Sequence, residues 1–424
     1  MAKWHRLDNA AKIFPPVSKD SNSSVFRISL ILKEEIDPEL LQKALDMIVH
    51  RFPSFLLRIR RGFFWYYMEE INDRLLVQKE TEYPCSPIKS SLHNRFLIRI
   101  LYYNRRVSME TYHSISDGAG ASEFLKTLVY QYLKLKGLDI PADQTILLPE
   151  DEPRAAELED SFRKYYKPFG FYISVVKKPL LIGGTPFEYH GNNLIHGVVS
   201  VEKLLKLCRL KKVTITEYLA AVLVYSIYNE TTQHQGLPQV INISIPVNLR
   251  KAFPSVTLRN FFCSPIISTE VDENTSFSDI LEQVRFYMKQ KTSINYLEYT
   301  LSSNSKMEQM MVSRFIPLFI KDLFMSFGAK NFGEKYKTMT MSNTGSMKVP
   351  PKMAEHIERA ELIMYPTTIA PISCGICSIN DNLTISFART IIETKVIRRF
   401  FHYLATESGL DVEISSNNWG VDYE

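Results

Sequence analysis

The stretch ETYHSISDGAGASEFLKTL, Glu110–Leu128, decides the fold. His113 stands four residues ahead of Asp117-Gly118, between a run with strand character and a run with helical spacing. Read as a strand, Val107–His113 puts Val107, Met109, Thr111 and His113 on one face. Arg106, Ser108, Glu110 and Tyr112 take the other. His113 then emerges from the more apolar face at the strand's end, where a cleft would lie. Asp117 and Gly118 turn the chain into a helix whose apolar stripe is Phe124, Leu125, Leu128 and Tyr132.

The motif admits two readings. A neutral imidazole with a pKa near ~6.5 suits a general base at neutral pH. In the structural reading, the histidine is buried and satisfied by one carbonyl, and Asp117 is only an N-cap. The sequence supplies no nucleophile of its own. It has no Gly-x-Ser-x-Gly elbow, and no cysteine lies near the motif. The simplest chemistry is a base that activates the substrate's own hydroxyl or amine.

Outward from the motif, strand and helix signals alternate. Val25–Ile36 reads as a strand. Asp37 then caps a helix opened by Pro38, with Leu41, Ala44, Leu45 and Ile48 at helical spacing. Arg95–Asn104 and Arg105–His113 read as a hairpin turning near Asn104. Leu148 to about Gly191 is rich in charge, Pro and Gly and reads as a crossover. Beyond it, Thr216 is expected to cap a helix bearing Leu219, Val222, Leu223 and Ile227. Gln239–Arg250 reads as a strand and turn. Ser276–Lys291 and much of Leu297–Gly328 read as helix. Thr338–Gly345 reads as a strand, Ser373–Arg389 as a hairpin about Asn380-Asp381-Asn382, and Glu393–Glu407 as a closing helix. These patterns predict an α+β fold of two layered halves with a cleft between them. The expected division is 1–150, a crossover over 151–191, and 192–424, the last exchanging strands with the first.

The 424 residues favour two domains. A hydrophobic content of 45% with 23% charged residues describes a globular chain. A net charge of +5 without dense basic runs argues against nucleic-acid binding. Five cysteines are too few and too scattered for a disulfide framework. The opening lacks an apolar core of signal-peptide length, and no run of 18 apolar residues occurs. A reducing cytoplasm is the expected setting.

The segment HSISDG, His113–Gly118, resembles the active-site motif of the chloramphenicol acetyltransferase-like superfamily, which includes peptide-synthetase condensation domains, plant BAHD acyltransferases and alcohol acetyltransferases. Further segments follow in the superfamily's order: IPVNLR (Ile245–Arg250), LRNFFCSP (Leu258–Pro265) and MSNTG (Met341–Gly345). The opening WHRLDNAAKIFPP (Trp4–Pro16) is similar to the start of bacterial alcohol acetyltransferase-like proteins. The resemblance implies a two-domain pseudo-dimer with a tunnel between the halves and His113 midway. His113 would deprotonate the acceptor. Asp117 would pair with an arginine, Arg250 before Arg6, and Gly118 would allow a tight turn. Ser342 or Asn343 would line the tunnel or donate to the oxyanion. The implied reaction moves an acyl group from a thioester, foremost acyl coenzyme A, to a hydroxyl or amine, without a metal. The internal duplication implies a monomer. Tyr112 stands where many condensation domains and chloramphenicol acetyltransferases carry a second histidine, and no Asp-Phe-Gly-Trp-Gly segment occurs. The bacterial alcohol or lipid branch is therefore the one implied. Two alternatives stay open: a condensation enzyme taking its donor from a carrier protein, and a non-catalytic homologue that binds an acyl chain or carrier.

Other features read more plainly. Cys374 and Cys377 have the Cys-x-x-Cys spacing but no second ligand pair, and on a strand they would face opposite sides. His356 and His402 show no ligand-like spacing. Leu56–Glu70, with Arg58, Arg60, Arg61 and a run of aromatics, reads as a hairpin packed on one side. Phe315–Phe332 is too interrupted to span a bilayer and reads as a core or lid helix beside the tunnel ahead of one that touches a membrane when the substrate is a lipid, with Met310, Met311 and Met325 forming an adaptable wall. Lys177, Lys178, Lys348 and Lys352 could stand at a tunnel mouth, but a solvated surface is the stronger reading.

Overall fold

Two β-sheets, each backed by helices, carry the chain in the computed structural model, which describes residues 4–88, 96–168, 176–189, 191–231, 238–309 and 315–417. The first sheet has five strands, in spatial order Ile357–Met364, Val25–Leu32, Arg106–Tyr112, Ile98–Tyr103 and Val77–Lys79. Its edge strand therefore comes from late in the chain and pairs antiparallel with Val25–Leu32. The second sheet has seven strands, in order Ile266–Val271, Gln239–Ser244, Met339–Ser346, Ile372–Ile379, Asn382–Arg389, Asn193–Ser200 and Glu413–Ser416. The fold is α+β in two layered halves, as the alternation of elements predicted.

Local chemistry sets these elements. Asp37 accepts from the N–H groups of Glu39 and Leu40 and opens the helix Pro38–Ile48, whose Leu41, Ala44, Leu45 and Ile48 are buried. Asn104 turns the hairpin between Ile98–Tyr103 and Arg106–Tyr112 with a φ of 48°, a conformation asparagine tolerates better than most residues. Helices Pro38–Ile48 and Gly118–Leu135 pack on one another and share one core with the first sheet. Helices Val201–Leu210, Ile215–Thr231, Phe277–Lys291 and Lys395–Thr406 belong with the second core. The crossover is anchored to the first half by a buried two-pronged ion pair, Arg51 with Glu157, at 2.6 and 2.8 Å.

The sheets meet where Ile357–Met364 passes over Ile372–Ile379 and Asn382–Arg389. Gly375 permits this, since a Cβ there would lie 2.1 Å from the Leu362 carbonyl oxygen. The Cys-Gly-Ile-Cys segment is thus a packing site. Cys374 lies in the second core and Cys377 in the first, on opposite faces of one strand. Among the described residues no cluster suited to a metal ion occurs.

Two expectations need correction, and one face needs its charges accounted for: on the more polar face of the strand Arg106–Tyr112, Ser108 and Glu110 are fully buried. Glu110 is held by Arg27 and Arg99, so the charge is compensated where it is desolvated. The helix Ile215–Thr231 is capped by Thr214, which exchanges hydrogen bonds with Glu217, and Thr216 is free to serve elsewhere. The helix Leu318–Gly328 is not a core helix, since Phe319, Leu323, Phe324 and Phe327 stand exposed. The sites assigned to Met310 and Met311 lie outside the described residues.

Candidate functional site

His113 follows the last residue of the strand Arg106–Tyr112, and its N–H donates to the Ser24 carbonyl (2.9 Å). Its ring stacks on Phe14, with centroids 4.6 Å apart and planes within 8°. Phe26 and Phe262 stand at 4.9 and 5.2 Å. Burial pushes the imidazole pKa below its ordinary value, against the opposing pulls of Asp117 and Asn260. The side chain nevertheless keeps accessible surface and is half-buried.

Asn260 fixes the tautomer. Its Nδ2 donates to the His113 carbonyl (2.9 Å) and toward Asp8 Oδ2 (3.4 Å), so its Oδ1 faces His113 Nδ1 at 3.1 Å. Nδ1 must then carry the proton, and Nε2 keeps its lone pair. Behind Asn260, Asp8 is fully buried, accepts from the Ala11 N–H (2.8 Å) and lies 3.6 Å from Arg259. Burial raises the Asp8 carboxyl to about 6. Neither Asn260 nor Asp8 was singled out from sequence, although both lie in segments quoted for their order, LRNFFCSP and WHRLDNAAKIFPP.

Asp117 points away from the imidazole ring and builds the wall that carries Asn260. Its Oδ1 caps the helix Gly118–Leu135 through the N–H groups of Ala119 and Gly120, both at 3.1 Å. Arg250 grips the same carboxylate at 2.7 and 3.1 Å, and the Phe261 N–H donates to Oδ2 at 2.8 Å. Arg250 also donates to the carbonyls of Thr257 (3.0 Å) and Arg259 (2.5 Å). The pair thereby ties the helix start of one half to the 257–261 segment of the other. Arg6 does not take this place; its carbonyl accepts from Arg259 (2.6 Å).

The glycines act by making room. Gly118 lacks the left-handed φ that a tight turn would demand, and instead faces Thr344, whose Cγ2 would lie 3.1 Å from an added Cβ. Gly120 is more constrained, because its Cβ would fall 2.0 Å from the Leu258 carbonyl oxygen. The strand end carrying Ser342 and Asn343 therefore abuts the helix start. Asn343 is engaged already: Nδ2 donates to Thr216 Oγ1 (3.0 Å) and Oδ1 accepts from the Gly345 N–H (2.9 Å). Tyr112 hydrogen-bonds Ser18 (2.9 Å). Of the four lysines considered, Lys177 is paired with Glu270 at 2.5 Å.

No family model and no curated protein matches the sequence. Solved structures do match in shape. The chain aligns with the F. graminearum TRI101 structure complexed with coenzyme A and deoxynivalenol at a TM-score of 0.63 and 9% identity, over 97% of this chain and 100% of that one. Trichothecene 15-O-acetyltransferase TRI3 from Fusarium sporotrichioides gives 0.60 and 11%, over 95% of both chains. Polyketide synthase associated protein 5 from Mycobacterium tuberculosis gives 0.59 and 14%, over 95% and 97%. The chain has the chloramphenicol acetyltransferase-like fold. In that fold, His113 and Asp117 lie where the two halves touch.

Proposed function

We propose that the protein transfers an acyl group from an acyl thioester, foremost acyl coenzyme A, to a hydroxyl or amine. The observation that carries this reading is the Asn260 contact, which places the proton on His113 Nδ1 and leaves Nε2 as the base. A depressed pKa keeps the ring neutral at physiological pH.

In the proposed step, Nε2 takes the proton from the acceptor O–H or N–H as that atom bonds to the thioester carbonyl carbon. The carbonyl electron pair moves onto oxygen. When the tetrahedral intermediate collapses, the C–S bond breaks and the departing thiolate takes the proton back from the imidazolium. The transient oxyanion needs a donor. Because the Asn343 amide is engaged, Ser342 is the donor we assign, with Asn343 shaping the strand end. Asp117, Arg250 and Gly118 are positioning residues: they hold the segment that presents Asn260. The acceptor is a small molecule or lipid, and the chain works as a cytoplasmic monomer.

The Asp117–Arg250 grip favours catalysis over a degenerate binding homologue, because such a homologue has no need to hold Asn260 against His113. The coenzyme A bound to TRI101 makes that donor the first to try, with an acyl-carrier protein second. The test is free-thiol release from a panel of acyl coenzyme A donors, with pooled alcohols and amines, for the wild type and His113→Ala. Acceptor-dependent release lost by at least ~100-fold in the variant supports the base. Equal release from both proteins removes His113 from the mechanism.

A further inference from the structure

The helix Leu318–Gly328 is amphipathic in the inverted sense. Its polar residues face the protein: Lys321 donates to the Phe64 carbonyl (2.8 Å), and Asp322 accepts from Tyr66 (2.9 Å) and Arg61 (3.2 Å). Its aromatic residues face outward. Phe319, Leu323, Phe324 and Phe327 recur at i, i+4, i+5 and i+8 and are 61–70% exposed. A helix stabilised only by burial of an apolar stripe would do the reverse.

The apolar surface extends beyond the helix. The Leu318 N–H donates to the Phe63 carbonyl, which seats the tip of the hairpin Leu57–Glu70 beside the helix start. Phe63, Trp65 and Phe315 are all more than half exposed. The other side of the helix rests on the turn Phe14–Val17, whose Phe14 stacks on His113. The outward face is thus one residue layer from the imidazole.

Cations frame this surface. Arg60 and Arg61 stand on the hairpin, 44% and 60% exposed; Lys321 is on the helix, Lys330 continues its exposed face, and Lys12 is near enough to repel Lys321. The carboxylates among them, Glu69 and Asp322, are each turned to arginines. The rim is therefore net positive.

We propose that this face docks the protein on an anionic lipid bilayer. Aromatic side chains over a basic rim match the boundary between headgroups and acyl chains. The apolar side chains of this face stand out from the surface, 61–75% exposed on the helix and at Phe315, as insertion into a fluid layer requires. At 11 residues the helix is too short to cross a bilayer, so it lies in the interface plane. Docking would set the layer over His113 against the membrane. The inference is independent of acyl transfer, because binding is read without catalysis.

The test is co-flotation of the full chain with phosphatidylcholine vesicles, with and without phosphatidylglycerol. Trp65 reports insertion in a Trp4→Phe, Trp419→Phe background. The expected result is flotation with the anionic vesicles, a blue shift of Trp65 emission, and weakening by salt. Apparent affinity should fall at least ~10-fold in a Phe319→Ser, Leu323→Ser, Phe324→Ser, Phe327→Ser variant, and also in Arg61→Glu, Lys330→Glu. These side chains are exposed, so an unchanged melting temperature shows that each variant is folded. Failure of the wild type to float, or equal flotation by all variants, overturns the proposal. So does a concentration-dependent dimer that the serine variant abolishes while vesicles bind neither protein, since the face would then join two copies.

Discussion

His113 and His196 make an instructive pair. Burial pushes both imidazoles below their ordinary pKa, and each is hydrogen-bonded through Nδ1, to Asn260 Oδ1 at 3.1 Å and Ser386 Oγ at 2.9 Å. Their surroundings differ. His196 lies within the strand Asn193–Ser200, 6% exposed, closed between the sheets and under the charges of Glu361, Arg359, Arg106 and Arg27. His113 sits just past a strand end, under three aromatic rings, with part of its surface open. A depressed pKa therefore does not mark a base. What separates the two rings is the Asn260 contact, which fixes the tautomer of His113, and the part of His113 that stays open.

The sharpest way to break this distinction is to remove each ring in turn. His113→Ala should lower acceptor-dependent thiol release by roughly 100- to 10,000-fold. His196→Gln, which keeps an amide near Ser386, should stay within about threefold of wild type, because no acceptor reaches its site. Comparable losses from both variants, at unchanged melting temperature, would end the contrast.

The next effect is on stability. Asp117 and Arg250 are largely buried, with side chains 7% and 13% exposed. Arg250→Ala leaves the carboxylate with backbone donors only and should destabilise by about 3–5 kcal/mol, the range for breaking a buried pair from one side. Arg250→Lys keeps charge without the fork and should recover only part of the loss. Chemical denaturation of the three proteins measures this. If Arg250→Ala unfolds at the wild-type midpoint, the clasp is not what holds the 257–261 segment.

Asn260 should show a smaller, kinetic effect. Asn260→Ala removes one orienting hydrogen bond and should reduce kcat about tenfold, with KM little changed. It also removes a contact that raises the His113 pKa, so the acidic limb of the pH–rate profile should move to lower pH. A lost tenfold with an unmoved limb would make Asn260 only a scaffold residue.

How much of this was legible in the sequence depended on whether a feature is local. The Asp37 cap, the Asn104 turn and the opposed Cys374 and Cys377 follow from spacing and turn chemistry, which act within a few residues. The His113–Asp117–Arg250 set was legible because the resemblance brought IPVNLR into register with HSISDG. Asn260 and Asp8 were not, since their roles arise only when residues 147 and 105 positions from His113 fold onto it. The burial of Glu110 was hidden for the same reason: its partners Arg27, Arg99 and the Cys85 N–H come from other parts of the chain. The helix Leu318–Gly328 misled in the opposite direction. Its apolar content predicted a core or lid helix; the core half of that reading fails, because the placement of Lys321 and Asp322 against the hairpin turns that content outward.

The smallest expected effect is the pH dependence of stability that His196 confers. Its folded pKa lies below the ordinary 6.5, so as pH falls below ~6.5 the unfolded chain takes up a proton that the folded chain refuses. Stability from this site is complete above that value, and is lost as pH falls toward the folded pKa. His113 acts in the same direction. Asp8 acts in the other: its carboxyl is raised to about 6 from 3.8, so its contribution is complete below 3.8 and lost as pH rises through that window. His196→Gln removes one component alone. Its melting temperature relative to wild type should therefore hold constant at neutral pH and rise as the solution is acidified below ~6.5. Equal gaps near pH ~5 and pH ~8 would mean that His196 titrates in the folded protein as it does in the unfolded chain, whereas a relative melting temperature that falls on acidification would mean that it is protonated between the sheets, paired with Glu361.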